Sequence, residues 1–174
     1  MLRRGEDPAD DAAAVRAARA FDAAALDPAD PALRSEEVGN AAGRIAANPG
    51  VRDALIAVQR RFAAVPPGGC AGAVIDGRDI GTVICPDADV KIFVDASAEV
   101  RAARRVKELQ ERGVESIPAR VLQDMKERDE RDRTRAIAPL APAADASVID
   151  TTNLSADAAF AEAMSLIRSR NKVE

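Results

Sequence analysis

Val90-Lys91-Ile92-Phe93-Val94-Asp95 is the run that decides the fold. Three β-branched residues and a phenylalanine in six positions suit a pleated, mostly buried strand. Two residues on, Ser97 is a hydroxyl N-cap, and the stretch from Ala98 to about Arg112 predicts a helix that Gly113 stops. Ala73-Val74-Ile75 predicts a second short strand, ending in Asp76-Gly77-Arg78-Asp79, and Ser147-Val148-Ile149-Asp150 predicts a third. Strands separated by helices mean an α/β protein with a mostly parallel sheet.

The remaining elements read as helices. Ala12 to Ala25 carries a partial apolar stripe of Val15, Ala18, Phe21 and Leu26 before a Pro/Asp break. Ser35-Glu36-Glu37 starts a helix to about Ala47. Asn48-Pro49 restarts it, with Val51, Leu55, Val58 and Phe62 in period up to the Val65-Pro66-Pro67-Gly68-Gly69 stop. Ser116 is the expected cap of a helix running through the charged stretch to about Arg133. Ser155 opens a last helix with Ala159, Phe160, Met164 and Ile167 inward.

Composition narrows the chemistry. The 174 residues hold 47% apolar residues, mostly alanine, and four Phe as the only aromatics. A net charge of −4 argues against a nucleic-acid polymer as partner, and there is no Trp or Tyr to stack on bases. The absence of histidine excludes His-based metal sites and Ser-His or Cys-His pairs. Cys70 and Cys85 lack the spacing of a redox or zinc motif. No apolar run approaches the roughly 20 residues that span a bilayer, and no signal peptide opens the chain, so the reading is cytoplasmic and without membrane contact.

Lys126-Glu127-Arg128-Asp129-Glu130-Arg131-Asp132-Arg133-Thr134-Arg135 is the densest charge run. On a helix, Arg128, Asp132 and Arg135 share a face, with Arg131 beside them. Guanidinium forks match phosphate oxygens, and a carboxylate between them accepts from sugar hydroxyls. The bland alternative is a solvated face laced with i,i+4 pairs. Arg78 and Asp79 follow a predicted strand, where ligands collect in open α/β sheets. Arg34 precedes a helix start, and Arg101, Arg104 and Arg105 form another basic set, whose plain reading is pairing with Glu108 and Glu111. No Gly-x-x-x-x-Gly-Lys occurs, and Gly68-Gly69-Cys70-Ala71-Gly72 lacks the lysine of a phosphate loop.

Leu33-Arg34-Ser35-Glu36-Glu37-Val38-Gly39-Asn40-Ala41-Ala42, Ile75-Asp76-Gly77-Arg78-Asp79-Ile80-Gly81-Thr82-Val83, Pro86-Asp87-Ala88-Asp89-Val90-Lys91-Ile92-Phe93, the 126–133 run and Ala138-Pro139-Leu140 follow one another in a fixed order. Together, in that order, these motifs closely resemble bacterial cytidylate kinase. The resemblance implies a P-loop nucleoside-monophosphate-kinase fold of α/β class. One domain would cover 1–174, with 1–70 as a helical CMP-binding side and 71–174 as the α/β core bearing a lid near 98–113. It implies phosphoryl transfer from ATP, with Mg²⁺, to CMP or dCMP, by a monomer. Arg34 and Asp79 would read the cytosine edge, Arg78 and Arg135 hold the CMP phosphate, and Arg128 with Asp132 hold the ribose. Arg131 would lie close to the phosphates, with Arg104 and Arg105 in the lid over ATP. Relatives of this kind begin with a strand, phosphate loop and helix that do not occur here. The expectation is a fold incomplete at its N-terminus and a chain weak or inactive alone. A CMP-binding remnant without catalysis, or a helical interaction module with surface arginines, are the alternatives.

Overall fold

A computed structural model describes residues 1, 5–22, 27, 29–46, 48–134 and 139–170, without the side chains of Arg34, Glu36, Glu37 and Asn40. The chain falls into two compact units, Met1–Ile75 and Asp76–Glu174.

The first unit is helical. Helix α1 (Asp11–Arg19) is capped by Asp10, whose carboxylate accepts from the Ala13 amide. A 3₁₀ turn, Pro31–Arg34, leads into α2 (Glu36–Ile45), where Ser35 Oγ accepts from the Val38 amide at 3.2 Å. Helix α3 (Pro49–Ala64) follows at once, with Asn48 as cap, its Oδ1 accepting from Val51 N, and Pro49 at the first position. Ala14, Ala18 and Val51 form the buried core here, with Val15, Ile45, Ala54 and Leu55 packed around them. Small side chains let α1 and α3 approach closely. A Cβ on Gly50 would meet Val15 Cγ2 at 2.9 Å, and a stiff β-branched neighbour cannot move aside cheaply. The predicted first helix was longer than α1. Its Phe21 lies beyond the helix end and is exposed, and Leu26 falls outside the described residues. Phe62 of α3 is likewise exposed.

The second unit is built on a parallel pair of strands, β1 (Ile92–Asp95) and β2 (Ser147–Asp150), in register from Ile92 opposite Ser147 to Asp95 opposite Asp150. They are joined through α4 (Ala98–Glu111) and α5 (Pro118–Thr134), and α6 (Ala156–Arg170) follows β2 and packs on it. This β-helix-β order with a parallel sheet is α/β architecture. Lys91 fixes the entry to β1, donating to both oxygens of Asp145 and to the Pro86 carbonyl. Ser97 caps α4 by accepting from Val100 N, and α4 ends in a Schellman turn: Val114 N donates to Leu109 O and Gly113 N to Gln110 O, with Gly113 at φ 71°.

Three expectations are corrected. Ala73-Val74-Ile75 is not a strand: residues 72–76 have no regular structure, and Val74 is 94% exposed. β propensity alone does not hold a strand whose backbone finds no ladder partner among the described residues. After it, Ile80–Ile84 winds into a π turn in which Asp79 O accepts from the Val83 and Ile84 amides. Ser116 does not cap α5. Pro118 takes the first helical position, so Ile117 supplies the cap carbonyl to Arg120 and Val121, and the Ser116 hydroxyl is buried without a partner. Phe160 does not face inward on α6; it is 68% exposed, whereas Ala159, Met164 and Ile167 are half-buried.

Candidate functional site

Helix α5 gathers the charge. Its half-buried stripe starts apolar, with Val121, Leu122 and Met125, and continues as Asp129 and Asp132. The two carboxylates are spaced three apart, so each leans toward different neighbours. Asp132 is 16% exposed at its side chain, and its Oδ2 lies 2.6 Å from Arg78 Nε and 4.0 Å from Arg128 Nε. Arg78 reaches it from the loop just before the π turn. Two guanidinium groups therefore flank one carboxylate, on residues 50 positions apart in the chain. Partial desolvation of a side chain that is still 64% exposed, and after it the nearby Arg78 charge, hold Arg128 below the ordinary arginine value. It stays cationic at neutral pH, since guanidinium titrates far above it.

Asp129 faces another way. Arg101 of α4 grips it with both terminal nitrogens, Nη1 to Oδ1 at 3.0 Å and Nη2 to Oδ2 at 2.6 Å, while Arg101 Nε donates to the Ala96 carbonyl at 2.9 Å. This planar fork raises the affinity of Arg101 for its proton and pushes the Asp129 carboxyl below its ordinary range. A cleft of about 640 Å³ opens beside the pair at the carboxyl ends of β1 and β2, bordered by Asp95, Ser97 and Thr152.

The sequence-predicted residues divide clearly. Arg78, Arg128 and Asp132 come together. Asp79 contributes its carbonyl to the start of the π turn. Arg131 is exposed on α5. Arg135 lies outside the described residues, and of Arg34 only the backbone is described, at the end of a 3₁₀ turn. Arg104 donates to Thr151 Oγ1 and to the carbonyls of Thr151 and Leu154, clamping the chain after β2. Arg105 pairs with Glu108 at 2.7 Å, the plain helix-surface reading. The pair missed by sequence reasoning is Arg101–Asp129. Its partners are 28 residues apart on different helices, and no local spacing announces them.

Among the described residues no group of three or more His, Cys, Asp or Glu side chains is placed to hold a metal ion. No helix among them is long and apolar enough to cross a membrane.

Comparison with known proteins gives the family. The family model described as cytidylate kinase matches residues 16–169. The cytidylate kinase of Paramagnetospirillum magneticum is 58% identical over 173 residues, 98% of this chain and 79% of that protein. The cytidylate kinase of Rhodospirillum rubrum is 49% identical, covering 99% and 80%, and that of Nitrobacter winogradskyi 50% identical, covering 97% and 77%. With the β-helix-β core and the Arg78–Asp132–Arg128 cluster falling inside the matched region, the chain belongs to the cytidylate kinase family.

Proposed function

We propose that the chain serves transfer of the γ-phosphoryl group of ATP to CMP or dCMP, with Arg78, Arg128 and Asp132 as the wall that holds the monophosphate. The kinase activity follows from family membership. The observation that carries the site is the half-buried Asp132 carboxylate between two guanidinium groups. Two cations held close by one anion are ready to exchange it for phosphate oxygens, and the released carboxylate is then free to accept from ribose hydroxyls.

In the reaction an oxygen of the CMP phosphate attacks the γ-phosphorus, the bond to the β–γ bridging oxygen of ATP breaks, and CDP and ADP leave. Such transfer is catalysed by positioning and by neutralising negative charge, so a cage of arginines without an acid–base residue suits it. By motif, Arg135 joins Arg78 on the phosphate, Arg131 lies near the phosphates, and Arg34 with Asp79 reads the cytosine edge. A lid role for Arg104 and Arg105 requires both to leave the partners that hold them, Thr151 and Leu154 for one and Glu108 for the other. Mg²⁺ enters this reading on the phosphates of ATP. Among the described residues no group of three or more His, Cys, Asp or Glu side chains is placed to hold it.

The 174 residues contain no Gly-x-x-x-x-Gly-Lys run, so the reading assigns them the monophosphate side of the site and low turnover on their own. The same feature favours, as second reading, a CMP binder without catalysis. We place the protein in the cytoplasm, in keeping with two free cysteines, and take it as a monomer by family resemblance. Calorimetric titration with CMP and an assay of ATP-dependent CDP formation test these together. CMP binding that Arg78→Ala reduces at least tenfold supports the site, and absent or unaffected binding overturns it. Rapid CDP formation by these 174 residues removes the second reading.

A further inference from the structure

We propose that Arg101 and Asp129 are positioning residues, a pair that sets the rotation of α5 and so brings Arg128 and Asp132 to face Arg78. The inference rests on the reading of that wall as the CMP site.

Helix α5 has no fully buried residue. Its half-buried apolar residues, Val121, Leu122 and Met125, all lie in its first half. Apolar packing therefore fixes the beginning of the helix and leaves the last turns, which carry Arg128 and Asp132, without an apolar anchor. In those turns the inward positions are Asp129 and Asp132. A helix free to roll by one residue turns its side chains through about 100°, enough to carry Arg128 and Asp132 off the site. Asp129 prevents this. Its two oxygens are both taken by Arg101, and Arg101 is itself fixed, since its Nε donates to Ala96 O directly after β1. The chain of contacts runs from the end of β1 through Ala96 and Arg101 to Asp129, the residue next to Arg128. Three fixed donors in one plane hold an angle as well as a distance, which a lysine could not do. The second link between the helices, Lys126 to Glu99 at 3.0 Å, joins exposed side chains and adds little constraint.

The pair acts through the residues it orients, and its test uses that. In the 174-residue chain, Arg101→Ala and Asp129→Asn are each expected to weaken CMP binding about tenfold by calorimetry. In an Arg128→Ala/Asp132→Asn background, the same Asp129→Asn change is expected to shift CMP affinity less than twofold, a non-additivity that lost stability would not produce. The Arg78 Nε–H resonance in a ¹⁵N–¹H spectrum reads the wall without ligand. It is expected at a hydrogen-bonded position in the unsubstituted chain and at the free-guanidinium position in both variants. Arg101→Gln, which keeps one donor, serves if Arg101→Ala does not fold. Variants that bind CMP within twofold of the unsubstituted chain, or that leave the Arg78 resonance in place, overturn the proposal. If the unsubstituted chain does not bind CMP, the functional reading fails by itself and the Arg78 resonance alone decides the positioning role.

Discussion

At the scale of single residues, Asp132 holds two like charges together. Arg78 and Arg128 approach the same oxygen, and without it their mutual repulsion would drive them apart or draw in an anion. Replacing the carboxylate by an amide separates its two proposed tasks. Asp132→Asn leaves a doubly cationic cleft, which is expected to bind inorganic phosphate several-fold more tightly. It also removes a charged acceptor for ribose hydroxyls, worth about 1.5–3 kcal/mol, so CMP is expected to bind about tenfold more weakly. Competition of phosphate against CMP, followed by calorimetry, reads both signs; a variant that weakens both ligands equally contradicts the assignment. Arg128 and Asp132 were legible as helix neighbours from their spacing, whereas Arg78 was singled out behind a predicted strand that does not form, and only the family motif put it with them. Arg101 and Asp129 were not legible, because a bidentate pair across two helices leaves no trace in either helix's own pattern.

At the scale of elements, hydroxyl caps were the most reliable local signal, and the one that failed shows why. Ser35, Ser97 and Ser155 each accept from the amide three residues on, at 3.2, 3.3 and 3.2 Å. Ser116 sits one residue too early, because Pro118 has a fixed φ and no N–H to satisfy and so claims the first turn. The expected consequences have opposite signs. Ser97→Ala and Ser155→Ala each remove a made bond and are expected to cost about 1 kcal/mol. Ser116→Ala removes a buried hydroxyl that bonds nothing, and is expected to cost nothing or to gain up to about 1 kcal/mol. Urea unfolding of the three variants checks this, and a loss on Ser116→Ala comparable to the others refutes it. The strands divide by the same logic. Of the predicted Val90–Asp95, the part Ile92–Asp95 forms a strand because it and Ser147–Asp150 are ladder partners; Ala73–Ile75 had the composition but no such partner among the described residues, and strand pairing is a tertiary property.

At the scale of the whole molecule, what is buried sets how the protein answers its ligand. Ten apolar residues are buried among those described, and six of them are alanine, which contributes little area. Val51 and Ile149 are the largest fully buried side chains, one in each unit, while Val74, Val94 and Val148 keep apolar surface in water. Cores of this kind expose little new surface on unfolding, so the urea m-value is expected near the bottom of the usual range of about 1–3 kcal/mol/M. A ligand that binds only the folded chain then has a large effect, because its free energy is set against a shallow slope. CMP at about 100 times its dissociation constant adds about 2.7 kcal/mol, which at a slope near 1 kcal/mol/M raises the midpoint by more than 1 M. Arg78→Ala, if it weakens CMP at least tenfold as proposed, should cut that rise by about half or more without changing the slope, since Arg78 pairs with Asp132 and is not among the buried apolar residues. A steep transition that ignores CMP would mean that the folded state is held by more than its described core, and that the arginine wall contributes nothing to it.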